Sequence, residues 1–160
     1  ILQPGTGVGG HCIAVDPWFL VHSAPNLTPL IKSARKINDG KPSKIAKKIL
    51  RAAKTLEKPI IACFGLAYKN DIADIRESPA IKIVNELAIS KEIEILIVEP
   101  YLDVLPKHLL GLKNLRLVDE NEALKRAQLV ALLTDHNSFR SIDPKKLASK
   151  QIFDTRGLWR

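Results

Sequence analysis

The sequence predicts an α/β protein with a parallel, Rossmann-like sheet, preceded by a cysteine-bearing glycine loop and a long linking helix. Three observations carry that prediction. From residue 59 onward, short and almost wholly apolar runs alternate with segments of helical periodicity, the pattern of strands buried on both faces and joined by crossover helices. Residues 32–58 ahead of them repeat apolar residues at helical spacing on a basic background. The chain opens on Gly5, Thr6, Gly7, Val8, Gly9, Gly10, His11 and Cys12, too rich in glycine for either element.

Taken in order, the glycine loop is the chemically loaded stretch. Glycine at that density lets the backbone take conformations closed to other residues and lets a ligand approach closely. A cysteine at its end sits where backbone N–H groups can face a thiolate or an oxyanion. Gly5, Gly7 and Gly10 also satisfy the dinucleotide spacing G-x-G-x-x-G, but that fingerprint needs a strand before it and a helix after it. Pro4 is poor material for a strand, and Asp16-Pro17 leaves little room for a clean helix start, so the dinucleotide reading is set aside. An inert buried thiol is the bland reading of Cys12; four glycines and His11 beside it argue against that.

Next, Trp18, Phe19 and Leu20 form an apolar patch expected to pin the loop to a core. Thr28-Pro29 reads as an N-cap followed by a first-turn proline, opening a helix with Leu30, Ile31, Ala34 and Ile37 inward and ending near Asp39-Gly40. Pro42 opens a second helix, or continues one long kinked helix, with the stripe Ile45, Ile49, Ala53 and Leu56. The net charge of +8 is located here: residues 32–58 hold ten basic residues against Asp39 and Glu57. A basic amphipathic helix can meet nucleic acid or an anionic membrane. No aromatic residue interleaves these lysines, so the segment reads as a helix with a solvated face, with neither nucleic acid nor membrane as partner.

Residues 60–66 and 93–98 are expected strands, as are 115–118, 129–134 and 151–154. Ser78-Pro79 caps a helix burying Ile81, Val84, Leu87 and Ala88, and residues 121–127 form another. Ligands of such sheets bind at the carboxyl ends of the strands. Polar stretches follow three of them, and Lys69, Arg76 and Arg156 are expected to converge there on a phosphate or diphosphate.

Composition bounds the class. A chain of 160 residues is long enough for one domain with a true core, and no apolar run approaches the ~20 residues of a membrane span. Two cysteines, Cys12 and Cys63, make no disulfide framework and imply a reducing, cytoplasmic setting. A start at Ile1 and the absence of methionine lead us to expect an internal piece of a longer protein.

The motifs G-V-G-G-H-C-I-A-V-D-P (residues 7–17), F-G-L-A-Y-K (64–69) and D-I-R-E-S-P (74–79) resemble the nucleotide-sugar 6-dehydrogenases, the family of UDP-glucose, GDP-mannose and UDP-N-acetylhexosamine enzymes. Val8, His11 and Val15-Asp16-Pro17 are closer to the UDP-N-acetylmannosamine branch than to the UDP-glucose enzymes. The resemblance implies a carboxyl-terminal fragment: residues 1–27 end the catalytic segment, 28–57 form the central linking and dimerisation helix, and 58–160 form the UDP-binding domain. It further implies two-step oxidation of the sugar C6 alcohol to a carboxylate with NAD, through a cysteine thioester. Cys12 matches the nucleophile and Asp16 the aspartate that orients the water. Gly5, Gly7, Gly9, Gly10 and His11 are expected along the sugar, Tyr68, Lys69 and Arg156 on the nucleotide sugar, and Arg76 on the cofactor; no metal is expected. Cys63, inside a strand, is core. The resemblance also implies a homodimer through the central helix, with the NAD-binding domain outside this stretch. UDP-N-acetylglucosamine or UDP-glucose as substrate stays open, as does a non-catalytic nucleotide-sugar-binding module.

Overall fold

Alternation of apolar strands with capped helices builds one five-stranded sheet, all parallel, in a computed structural model that describes residues 3–159. Three helices come first: α1 (Asp16–Ser23), α2 (Pro29–Asp39) and α3 (Lys41–Ala53). Then follow β1 (Ile60–Phe64), α4 (Pro79–Ala88), β2 (Glu94–Val98) and β3 (Leu115–Leu117). The chain ends with α5 (Glu120–Arg126), β4 (Leu129–Leu132), a 3-10 turn (Asn137–Ser141), α6 (Pro144–Leu147) and β5 (Gln151–Asp154). The strand order is β3-β2-β1-β4-β5, with Ile61 opposite Ile95 on one side and Leu129 on the other.

The two-residue period of the strands sorts the core into two layers. Ile61, Cys63, Ile95, Ile97, Leu129 and Ala131 pack under α3 and α4, together with Ile49, Val84 and Leu87. Ala62, Phe64, Leu96, Val98, Val130 and Leu132 face the opposite way, towards Ala123, Leu124, Phe139 and Leu147. There the Phe64 ring meets Phe139 edge-on at 5.1 Å and Trp159 at 5.4 Å. Local chemistry starts the helices where expected. The Ser78 hydroxyl accepts from the Ala80 N–H with Pro79 in the first turn, and Asp119 accepts from the Glu122 N–H ahead of α5.

Four expectations are corrected. A helix does start at Asp16, with Pro17 in its first turn, because the first amides of a helix have no intrahelical partner for proline to remove. Only the missing strand, then, argues against a dinucleotide loop; residues 3–15 hold no strand. Trp18, Phe19 and Leu20 do not pin the loop: Phe19 is 66% exposed, and Val21 is the buried residue of α1. The apolar stripe of α2 also faces outward, with Leu30 81% and Ile37 69% exposed, while Arg35 is the residue it buries. An irregular glycine loop brings backbone groups that need partners, so α2 turns its polar side to that loop. Finally, the Thr28 hydroxyl donates back to the Ala24 carbonyl at 2.8 Å and does not cap α2.

From β1 the chain runs outward to β2 and β3, then returns to the other flank of β1 to form β4 and β5. That reversal opens a crevice at the carboxyl ends of β1 and β4. The stripe of α3 behaves as its spacing demands: Ile49 is fully buried and Ala53 nearly so, while Lys47 and Lys48 are exposed. Replacing Ile49 by Ala is expected to lower the unfolding free energy by about 3 kcal/mol, and Lys47→Ala by under about 0.5 kcal/mol, in urea titrations. Equal effects would place the stripe outside the core.

Candidate functional site

Where β1 ends, at Phe64, residues 65–71 leave the sheet inside the protein, and each buried backbone group of that turn needs a partner. Gly65 makes the exit possible. Its φ is +88°, and a Cβ there would lie 2.5 Å from the Thr134 side chain. The Leu66 and Ala67 amides donate to Glu99 Oε2 at 2.6 and 3.1 Å. The Leu66 carbonyl accepts from Ser78 Oγ at 2.6 Å and the Ala67 carbonyl from Thr134 Oγ1 at 2.7 Å. The Tyr68 amide donates to the Asp74 carbonyl at 3.1 Å. At the far end, the Asp71 amide donates to His136 Nδ1 at 2.8 Å, which leaves Nε2 as the N–H facing Glu99 Oε2 at 3.1 Å. Burial alone raises the Glu99 carboxyl, but the His136 and backbone hydrogen bonds outweigh it and hold the group below its ordinary value.

The glycine loop is seated on this turn. The Gly10 amide donates to the Arg76 carbonyl at 3.2 Å, and the Tyr68 ring lies under Gly10, where a Cβ would come 2.9 Å from Cε2. At Gly9 a Cβ would stand 2.6 Å from the Glu77 carbonyl oxygen. From the other side α2 grips the loop. Asn38 takes both backbone groups of Val8, accepting its N–H at 2.8 Å and donating to its C=O at 3.2 Å, like a strand neighbour. Arg35, buried and ion-paired with Asp39, donates to the Ile13 carbonyl at 3.3 Å. Cys12 is exposed, and its carbonyl receives the Val15 and Asp16 amides at 2.9 and 2.8 Å. The turn into α1 thereby brings Asp16, its first residue, back over Cys12.

The cations gather around this seat unevenly. Arg76 forks onto Asp74, with Nε 3.0 Å from each carboxylate oxygen. That pairing, with a smaller contribution from His11 and against the opposing effect of desolvation, holds Asp74 down at about 2. The Arg76 guanidinium is held up by Asp74 first, and Tyr68 and Cys12 lie close enough to add to the effect. His11, Cys12, Tyr68, Asp74 and Arg76 are thus one neighbourhood. Arg156 stands apart, against Gly5: its Nη1 donates to the Pro4 carbonyl at 3.0 Å, and its Nε lies 2.7 Å from Asp135 outside hydrogen-bond geometry. Of the three cations expected to converge, Arg76 and Arg156 are already engaged, and Lys69 alone has no carboxylate partner among the described residues.

Residues that the sequence did not single out do much of the holding: Arg35, Asn38, Glu99, Thr134 and His136. A signal existed for three of them. A glutamate that ends an otherwise apolar strand, and a Thr-Asp-His triplet after another, are polar groups placed where burial is unavoidable. A cleft of about 560 Å³, lined by Lys47, Arg51, Lys54, Pro59 and Ile93 among others, lies at the opposite, amino edge of the sheet and is no part of this site.

Residues 62–160 match the UDP binding domain of the UDP-glucose/GDP-mannose dehydrogenase family, and residues 1–40 match its central domain. The chain is 49% identical over 159 residues to an NDP-N-acetyl-D-galactosaminuronic acid dehydrogenase of Ralstonia nicotianae, covering 99% of the chain and 37% of that protein. To a UDP-N-acetyl-D-mannosamine dehydrogenase of Yersinia pestis it is 46% identical over 168 residues, covering 100% of the chain and 40% of the relative. A solved UDP-N-acetyl-mannosamine dehydrogenase of S. aureus superposes with a TM-score of 0.79 at 35% identity, covering 99% of the chain and 36% of that protein. The chain therefore spans under half the length of the relatives it matches.

Two results follow from the geometry. Burial pushes the Cys63 thiol up to about 12, whereas Cys12 is open to solvent. Iodoacetamide at about pH 8 should add one label per native chain, at Cys12, and two only after unfolding; two labels on the native chain would contradict the placement. Glu99 has a folded pKa below its unfolded value near 4.5, so the stability it contributes is present above that value and lost as pH falls through the folded one. Urea midpoints should fall below about pH 4.5, and Glu99→Gln should be less stable at neutral pH with a shallower acid limb.

Proposed function

This chain belongs to the UDP-glucose/GDP-mannose dehydrogenase family, and from that premise we propose that it carries the nucleophile and nucleotide-sugar site of an NAD-dependent UDP-N-acetyl-D-mannosamine 6-dehydrogenase. One observation carries the reading: the Cys12 loop rests directly on the turn that bears Tyr68 and Lys69, so the thiol and the nucleotide-facing turn meet at one sheet edge. On this reading residues 1–27 complete the catalytic segment, 28–57 link and 58–160 bind UDP. Relatives named for N-acetyl-D-mannosamine and N-acetyl-D-galactosaminuronic acid support an N-acetylhexosamine as the sugar.

The chemistry falls to few groups. Lys69, without a carboxylate partner among the described residues, meets the diphosphate, and Tyr68 supports both the nucleotide and the glycine loop. The Cys12 thiolate attacks the C6 aldehyde carbon to give a thiohemiacetal. After its oxidation to a thioester, water displaces the sulfur and releases the carboxylate, and a soft nucleophile that is also a fair leaving group suits both steps. On this reading Asp16, whose amide is bonded to the Cys12 carbonyl, orients that water. NAD, when bound, supplies the hydride acceptor. The described residues offer it one contact, Arg76 beside Cys12, and no strand–glycine turn–helix cradle: β1 ends at Phe64 and α4 starts only at Pro79. The dinucleotide fold on this reading belongs to chain outside these residues. The outward row of Phe19, Leu20, Leu27, Leu30 and Ile37 on and between α1 and α2 supports pairing of two copies through the linking helices.

Calorimetry with UDP and with UDP-N-acetylmannosamine tests the reading. Both should bind, the sugar nucleotide more tightly, and each should slow iodoacetamide labelling of Cys12. Lys69→Ala should weaken UDP at least about tenfold, the size of a lost charge-assisted contact. Binding unaffected by that change, with Cys12 labelled at the free rate, would contradict the proposal.

A further inference from the structure

We propose that Glu99 and His136 are the positioning residues of this site, setting the place of Tyr68 and Lys69 from beneath without touching the nucleotide. The inference rests on the functional reading above. Both side chains are completely buried, so neither reaches a ligand. Their polar atoms are spent on one stretch of backbone. Glu99 Oε2 takes the Leu66 and Ala67 amides, Glu99 Oε1 takes the Tyr101 amide at 3.1 Å, and His136 Nδ1 takes the Asp71 amide. Tyr68, Lys69 and Asn70 lie between these anchors, so a single buried pair fixes both ends of the ligand-facing turn.

The surroundings make the pair rigid. The Tyr101 ring lies 5.0 Å from His136 and Phe139 closes the other side at 5.3 Å. Asp71, held by the Asn137 amide at 2.9 Å and the Tyr101 hydroxyl at 3.2 Å, locks the turn's far end. A buried carboxylate with its hydrogen-bonded partner is expensive to desolvate, but apolar side chains in their place would leave the Leu66, Ala67 and Asp71 amides unpaired. What this pair achieves, and an apolar plug would not, is a fixed backbone path for residues 66–71. Because the Tyr68 ring also seats Gly10, a shift of that path moves the nucleophile loop with it.

The test uses the full 160-residue chain with UDP as probe. Glu99→Leu and His136→Ala, which remove the acceptors, should each weaken UDP about tenfold. His136→Asn, which keeps an acceptor for the Asp71 amide, should stay within about threefold of the parent. Hydrogen exchange without ligand supplies the readout a stabilising role would not move: in Glu99→Leu and His136→Ala the amides of Leu66, Ala67 and Asp71 should lose protection while those of Ala62, Cys63, Val130 and Ala131 keep it. Unchanged affinity with a protected turn would overturn the proposal. So would equal losses in His136→Ala and His136→Asn, or protection lost from strands and turn together. A parent chain that binds no UDP would instead remove the functional reading and the positioning role with it, an outcome distinct from affinity lost only in the variants.

Discussion

The exit of β1 from the sheet is the constraint on which the rest of the structure depends. A strand buried on both faces ends at Phe64, and the chain must turn within the protein, where water cannot serve its amides and carbonyls. Glu99, His136, Ser78 and Thr134 meet that need from three different segments. Each of those segments is thereby drawn to the same edge. The two flanking strands supply Glu99 and Thr134, and α4 begins at the serine that also holds the Leu66 carbonyl. The turn that emerges has the backbone groups of its buried residues Leu66 and Ala67 satisfied internally, and its side chains Tyr68 and Lys69 are left for other work.

The second layer of dependence runs through the glycine loop. Its backbone has no sheet or helix of its own, so its partners come from α2, through Asn38 and Arg35, and from the turn after β1. This explains why α2 buries an arginine and exposes Leu30 and Ile37, an arrangement opposite to that of an ordinary surface helix. It also explains the glycines: at Gly9 and Gly10 the partners are a carbonyl oxygen and a tyrosine ring at distances no side chain tolerates. Their value to a ligand, expected from the sequence, stands beside a packing requirement that applies with or without one.

Sequence patterning was sufficient for the sheet, because burial on both faces leaves an apolar signature in β1, β2 and β4, and the shorter, more exposed β3 and β5 follow the same alternation with helices. It was sufficient for α3 and α4 for the same reason. It failed on α1, whose apolar patch Trp18-Phe19-Leu20 does not pin the loop, and on α2, where apolar residues at helical spacing point away from the core; periodicity reports which residues share a face, not what that face meets. In the site, Cys12, Asp16, Tyr68 and Lys69 were legible through motifs. Asn38 was not, since a polar residue on a helix that serves another segment's backbone carries no local signal; Glu99 and His136 carried a signal of place, polar at the end of a buried strand, but none of partner, which lies more than 30 residues away.

The most direct test of the account is a map of UDP-induced amide chemical-shift changes across the chain. The account predicts changes confined to residues 65–71, 134–137, 156 and the 5–12 loop, at the carboxyl edge of the sheet. Changes concentrated instead around Lys47, Arg51, Lys54 and Ile93, at the amino edge, would contradict it.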